Sequence, residues 1–329
     1  MKNKKVVTIL KKYLIALLIL FSGATTLSCM TATENHDVFV TVYPMQYVIE
    51  ELFKDTDLTV GLVPGISAHN EAIDWSPKEI IAMMDATLLF YVGANFDTYI
   101  DNQIGQIFTD SNVELVRIEN NLVDYVPGIV HVHEEEPATE EEHTDEDVLG
   151  FDPHFWISPK RMLTVALNTY ELLKTTFPDD ASTIETNYTA LNASLVELDE
   201  DYTAILSTAT KAVMTSTNLY SYLLVDYGLN FIPISPGYHE ETEQFTTQQK
   251  ELIVTEAIEH YIEHIIFERD SSSPLSNAVM TSLISLGYPI VKLEYIVVHS
   301  LTIDDAKAGR DFLSIMNDNL AMFQIATGR

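Results

Sequence analysis

Short strand-like segments alternate with helical ones along most of this chain, and that alternation limits its fold more than any other feature. Residues 37–43 (Asp-Val-Phe-Val-Thr-Val-Tyr) alternate and are rich in β-branched side chains, as a strand requires. Pro44 ends this segment, and Met45 to Phe53 then carries apolar residues at helical spacing. Residues 58–63, 86–92 and 113–118 repeat the strand pattern. Ser76-Pro77 opens a helix: the serine is an N-cap, the proline suits the first helical position and Glu79 lies in the first turn. The second half repeats the theme. Strands are expected at 212–216, 231–234, 265–268 and 289–294, with helices at 218–227 (closed by Gly228), 246–264, 276–286 and 304–327. Strands alternating with helices build a mostly parallel sheet.

Between the halves, Ser158-Pro159 opens a helix running to about Thr175. A long helical pattern from about Ala181 to Thr208 follows, with Leu191, Leu195, Leu198 and Tyr202 near helical spacing. This second helix is read as the connection between two α/β domains. The chain has 329 residues, more than one comfortable core holds. The expected divisions are a leader over 1–28, an N-terminal domain over 36–157, a helical segment over 158–208 and a C-terminal domain over 209–329.

The leader reads as a secretory signal. Lys2, Lys4, Lys5, Lys11 and Lys12 flank an apolar run from Tyr13 to Phe21, and small residues follow, ending at Cys29. The run is shorter than the roughly 20 residues of a membrane span. Cys29 is the only cysteine, so no internal disulfide exists. Its position resembles the lipidated cysteine of bacterial lipoproteins, although Thr26 stands where those sites usually carry leucine and Leu27 follows one step late. A membrane-anchored protein in the periplasm or at the cell surface is the expectation.

Formal net charge is −31, and without residues 1–28 the chain keeps 13 Lys+Arg against 49 Asp+Glu. Such a field repels nucleic-acid phosphates and concentrates cations. Solubility alone would also explain it. Residues 131–147 hold nine acids and three histidines (His131, His133, His143) without a lysine or arginine, so this segment is expected as a loop that cannot bury itself.

Two histidines stand in loops just before helix starts. His69 follows Pro64-Gly65-Ile66-Ser67-Ala68, and His154 lies in Asp152-Pro153-His154-Phe155-Trp156. In open α/β sheets such loops line the binding crevice. Neutral imidazole is the commonest side-chain ligand for zinc and related ions, and Asp152 could orient His154. Taken singly, each histidine also suits an ordinary surface or capping role.

The whole chain after the leader resembles the metal-specific solute-binding proteins of bacterial ABC transporters, which import zinc or manganese. Thr41-Val42-Tyr43-Pro44-Met45 resembles that family's first strand and turn, and Pro64-Gly65 through His69 its first ligand loop. Asp152-Pro153-His154-Phe155-Trp156 resembles its most specific motif. Tyr222 with Tyr227-Gly228-Leu229 and Ile266-Phe267-Glu268 resemble later stretches. The resemblance implies two Rossmann-like parallel-sheet domains joined by one long rigid helix, with the metal in the cleft between them. It implies a monomer that passes Zn2+, or alternatively Mn2+, to an ABC transporter permease, with no enzymatic activity; the acidic, histidine-bearing loop favours zinc.

The chain departs from this pattern in its second half. The third family ligand falls at Thr217, a poor zinc ligand, and the fourth falls at Glu294. His239, in the loop Ser235-Pro236-Gly237-Tyr238-His239-Glu240, is a candidate substitute. The expected ligands are therefore His69, His154, Glu294 and His239, with His131, His133 and His143 as an accessory gathering loop. Two rival readings stand beside this one. His260-Tyr261-Ile262-Glu263-His264 fits the H-x-x-E-H pattern of a secreted zinc hydrolase. Thr217 leaves room for a divergent relative serving as an adhesin, a metal buffer or a receptor for another solute.

Overall fold

Two four-stranded sheets form, each wholly parallel and each with the same strand order. The computed structural model describes residues 35–66, 73–103, 107–109, 111–129, 150–238, 246–269 and 271–328. In the first half, β1 (Val38–Val40), β2 (Val60–Leu62), β3 (Leu88–Tyr91) and β4 (Glu114–Arg117) lie in the order β2-β1-β3-β4. Helices α1 (Tyr43–Leu52), α2 (Pro77–Asp85) and α3 (Thr98–Gln103) connect them. Next come α4 (Pro159–Thr176) and the long α5 (Ala181–Leu206). In the second half, β5 (Val213–Thr215), β6 (Phe231–Pro233), β7 (His264–Glu268) and β8 (Val291–Tyr295) lie in the order β6-β5-β7-β8. Its helices are α6 (Ser221–Tyr227), α7 (Thr247–Glu259), α8 (Pro274–Ser285), α9 (Ile303–Lys307) and α10 (Phe312–Ala326). The expected two-domain parallel α/β architecture is what the chain adopts. No helix among the described residues is long and apolar enough to cross a membrane.

Local signals explain most element ends. Ser76 accepts a bond from the Glu79 N–H, while the Glu79 carboxylate accepts from the Ser76 N–H at 2.7 Å, so two helix-end donors are satisfied together. Gly228 closes α6 in the left-handed region, at φ 75°. Three expectations need correction. Pro44 does not end a strand; it sits in the first turn of α1, where its missing N–H costs nothing. The helix expected to reach His264 stops at Glu259, and Tyr261 at φ 54° turns the chain into β7. The terminal helix is two helices: Gly309 turns the chain at φ 70°, and Asp311 restarts it by accepting the Ser314 N–H at 2.8 Å.

Alternation along the strands divides the apolar side chains between faces. Val38, Val40, Leu88 and Phe90 from the first sheet join Val213, Ile266 and Tyr295 from the second in one buried cluster that also takes in α4, α5 and α10. The intervening residues Phe39, Leu89 and Tyr91 face a second cluster within the first half. Met214, Ile265 and Phe267 face a third, within the second half. The two sheets thus share one core and each keeps a private one.

Polar contacts fasten the shared core at its edge. The α4 guanidinium of Arg161 grips Asp226 of α6 with two bonds, Nε at 2.8 Å and Nη2 at 2.7 Å, and the Ser158 hydroxyl donates to the same carboxylate at 2.7 Å. The Tyr227 hydroxyl donates to Asp199 at 2.6 Å and accepts the Lys160 N–H at 2.9 Å. The Asp226 side chain is only 2% exposed, so removing its cation leaves a buried charge half-compensated. Arg161→Ala should cost about 2–3 kcal/mol in denaturant unfolding, and adding Asp226→Asn should restore part of that loss. A loss under ~0.5 kcal/mol would show the pair to be passive.

In the first half a buried carboxylate ties the end of β1 to the loop after β3. Asp97 accepts from the Thr41 hydroxyl at 2.7 Å, the Val92 N–H at 2.6 Å and the Gly93 N–H at 2.9 Å. Burial nevertheless outweighs these three donors and pushes its pKa up to about 6. The folded pKa thus lies above the unfolded one, so this group adds stability at low pH and loses it as pH rises through about 6. Melting temperatures of the parent minus those of Asp97→Asn should therefore fall between pH 4 and pH 7; parallel profiles would contradict the shift.

Candidate metal centre

His154 is the best-defined of the expected ligands. It sits immediately before a single 3-10 turn (Phe155–Ile157) and is 1% exposed. Asp152 explains how an imidazole is tolerated there. Its Oδ1 lies 2.9 Å from His154 Nδ1 and also accepts the His154 backbone N–H at 2.9 Å. With a ring proton on Nδ1, facing Asp152, Nε2 is the nitrogen that suits a metal. The Asp152 carbonyl is fixed in turn by the Tyr222 hydroxyl at 2.7 Å, a bond from the second half to the first.

Aromatic rings enclose the imidazole. Trp156 stands 5.3 Å away, Phe96 6.1 Å and Tyr238 5.2 Å between centroids, all edge-on. The Trp156 indole N–H donates to the Val297 carbonyl at 2.8 Å, so the ring wall also bridges the halves. Burial, reinforced by the Asp152 charge, raises the pKa of both Tyr222 and Tyr238, so the two hydroxyls stay protonated. The pocket around His154 is therefore walled by aromatic rings, with the Asp152 carboxyl as its acidic partner.

The other expected ligands divide into two groups. His69 and His239 lie outside the described residues, as do His131, His133, His143 and Cys29. Glu294 is described, and its position corrects the expectation. It pairs with Phe267 in the β7–β8 register, and its side chain is 54% exposed and bonded to Lys292 at 2.9 Å. Lys292 in turn lies over the Phe267 ring. Glu294 thus belongs to the face of the second sheet that carries that half's private core, not to the shared face. Thr217 is buried, and its hydroxyl donates to the buried carboxylate of Glu268. Among the described residues no group of three or more His, Cys, Asp or Glu side chains is gathered to hold an ion.

The H-x-x-E-H pattern does not form the helix-borne pair it suggested. His260 caps α7, Glu263 is ion-paired to Lys211 at 2.7 Å, and His264 already belongs to β7. The two imidazoles therefore do not share a helix face.

Two polar residues of the second half, Glu268 and His299, were not among the expected ligands, although Glu268 stood in the quoted stretch Ile266-Phe267-Glu268. Glu268 closes β7, is 9% exposed, and stands in register with Tyr295 on the shared face. The available signal was an acid ending an otherwise apolar strand, Ile265-Ile266-Phe267. His299 lies in the loop after β8, where its carbonyl accepts the Tyr43 N–H at 3.1 Å across the halves. Among the described histidines it is the one, besides His154, in a loop where the halves meet.

Comparison with known proteins agrees with this architecture. The family described as zinc-uptake complex component A, periplasmic, matches residues 38–326. The zinc-binding protein AdcA of Streptococcus pyogenes serotype M3 is 29% identical over 301 residues, covering 88% of this chain and 56% of its own length. The chain therefore spans about half the length of that relative. The high-affinity zinc uptake system protein ZnuA of Bacillus subtilis is 27% identical over 289 residues, with 86% of this chain and 85% of that protein covered. The Zn(II)-bound ZnuA-like domain of Streptococcus pneumoniae AdcA superposes with a TM-score of 0.68 at 24% identity, over 90% of this chain and 100% of that one, which shows the same fold. Since the family match covers both sheets and the helices between them, this chain belongs to the family of zinc-uptake complex component A proteins.

Proposed function

We propose that this protein captures a divalent metal ion outside the cytoplasm, Zn2+ first and Mn2+ as the alternative, and delivers it to the permease of an ABC importer. The observation that carries this reading is the His154 imidazole, buried where the two halves meet and oriented through Nδ1 by the buried carboxylate of Asp152. His69 is the companion ligand in the first half, and His239 offers a further nitrogen from the second. Relatives named for zinc binding and zinc uptake support Zn2+ over Mn2+. A relative named a zinc-binding lipoprotein supports lipid anchoring through Cys29. The strongly acidic chain favours cation capture by long-range attraction, and the acidic segment with His131, His133 and His143 would raise the local ion concentration. A shell closed by protein ligands leaves no coordination position for a reactive water, so the reading is a binding protein and not an enzyme, working as a monomer.

Titration calorimetry of the demetallated protein tests this. Zn2+ should bind more tightly than micromolar, and His154→Ala should weaken binding by more than about 100-fold. Binding no tighter than micromolar, or unaffected by that substitution, would refute the reading. Asp152→Asn should keep the fold and still weaken Zn2+ binding by about 10–100-fold, because the amide can present an N–H where Nδ1–H needs an acceptor. An unchanged affinity would mean that the Asp152 bond serves the loop and not the imidazole.

A further inference from the structure

The loop between β3 and α3 is built on a backbone that most residues avoid. In the order β2-β1-β3-β4 the sheet reverses its direction of growth between β1 and β3, as the second sheet does between β5 and β7. Ligands of open parallel sheets bind outside the C-terminal ends of the strands at such points. The loop leaving β3 there holds three successive residues in the left-handed region: Gly93 at φ 84°, Ala94 at φ 47° and Asn95 at φ 61°. Ala94 and Asn95 carry a Cβ, which that region disfavours. Such backbone persists only where its surroundings over-determine it, and it gathers at ligand clamps.

Here the surroundings do over-determine it. Three successive N–H groups each donate to a carboxylate: Val92 and Gly93 to the two oxygens of Asp97, and Ala94 to Glu119 Oε2 at 3.0 Å. Asp97 is held in turn by the Thr41 hydroxyl. Glu119 is held by Arg117, whose Nε lies 2.9 Å and Nη2 2.8 Å from the same oxygen. The Val92 carbonyl accepts from the Tyr125 hydroxyl at 2.8 Å and from the Glu119 N–H at 3.2 Å. The Phe96 N–H closes the turn on the Gly93 carbonyl at 2.9 Å. A Cβ at Gly93 would lie 2.6 Å from Arg117 Nε and 2.9 Å from Glu119 Oε2, so the framework is packed tightly around it. All of this delivers one side chain. The Phe96 ring is buried and meets the His154 imidazole edge-on at 6.1 Å and the Trp156 indole at 5.6 Å between centroids.

We infer that Phe96 is a positioning residue for metal capture, clamped against His154 by the strained loop so that the imidazole is already oriented when a divalent cation arrives. The inference rests on the metal-binding reading above. Asp152 fixes the imidazole at its Nδ1 end, and the Phe96 edge limits the tilt that one hydrogen bond leaves open. A ligand whose rotamer is locked by its neighbours loses less freedom on binding, so the ion is held more tightly. An aromatic residue on a relaxed turn would fill the same space without fixing the ring. The left-handed backbone and its two carboxylates are what convert filling into clamping, and Arg117 and Glu119 act on the pocket only through that loop.

The test uses the full chain without its leader. Zn2+ affinity is measured against a competing chelator, Co2+ absorption reports the ligand geometry, and side-chain 1H–15N correlations of the metal-free protein report the His154 ring. Phe96→Ala should weaken Zn2+ binding by about 10–100-fold, shift the Co2+ visible spectrum and broaden the His154 ring signals. Gly93→Ala, whose new methyl displaces Arg117 and Glu119, should weaken binding by about tenfold. In the Phe96→Ala background the same Gly93→Ala change should cost less than about twofold, because both act through one ring. An affinity within about threefold of the parent and an unaltered Co2+ spectrum in Phe96→Ala would overturn the inference. So would a Gly93→Ala effect of equal size in both backgrounds, since the loop would then serve the fold alone. Should Phe96→Ala fail to fold, Phe96→Leu takes its place in the same cycle, with the same criteria. His154→Ala is the reference. If it leaves Zn2+ binding intact, the metal-binding reading itself fails, and the metal-free His154 signals still decide the clamp: sharp lines in Phe96→Ala refute it and broadened lines support it.

Discussion

Burying an imidazole between two sheets is possible only if its ring N–H is answered, and the Asp152–His154 bond answers it. Much else depends on that bond. Asp152 must itself be held, and Tyr222 holds it from the other half through its carbonyl. Trp156, two residues past His154, is fully buried and reaches the Val297 carbonyl. Phe155 stacks on Tyr125 at 5.7 Å. One five-residue stretch, Asp152 to Trp156, thereby joins the pocket chemistry to the cohesion of the halves. Changing its acid would release the imidazole, while changing its tryptophan would loosen the whole seam.

The fold was largely legible because its signals are local. Periodicity and caps such as Ser76-Pro77 and Gly228 place the elements within a few residues, and strand–helix alternation requires parallel sheets. The failures came where periodicity misleads. Between Asp304 and Thr327 it outweighed two local marks of a break, Gly309 and the Asp311 cap on the Ser314 N–H. Tyr261 in the left-handed region is invisible to pattern, since a tyrosine there is explained only by the strand that must follow.

The pocket was legible by halves. His154 and Asp152 are two residues apart, so spacing carried the whole argument. In the second half Thr217, where a ligand was expected to fall, is bonded to a residue 51 positions away, Glu268, and no spacing rule reports such a bond. Glu294 misled because a strand of five residues looks alike from either face. Its face is settled by the register with β7, where Phe267 is its neighbour and Glu268 is not.

The matching strand orders have a consequence for what a buried carboxylate becomes. Each sheet has, at its reversal point, a threonine hydroxyl donating to an acid: Thr41 to Asp97 in one, Thr217 to Glu268 in the other. In the first, two backbone N–H groups also close on the acid, and the longer reach of glutamate is absent, so the group works as a latch. The second uses the same hydroxyl on a side chain one methylene longer, and there the bond joins the ends of two neighbouring strands, β5 and β7, across the sheet. The same threonine-to-acid pairing thus fastens a loop to its own sheet in one half and one strand end to the next in the other.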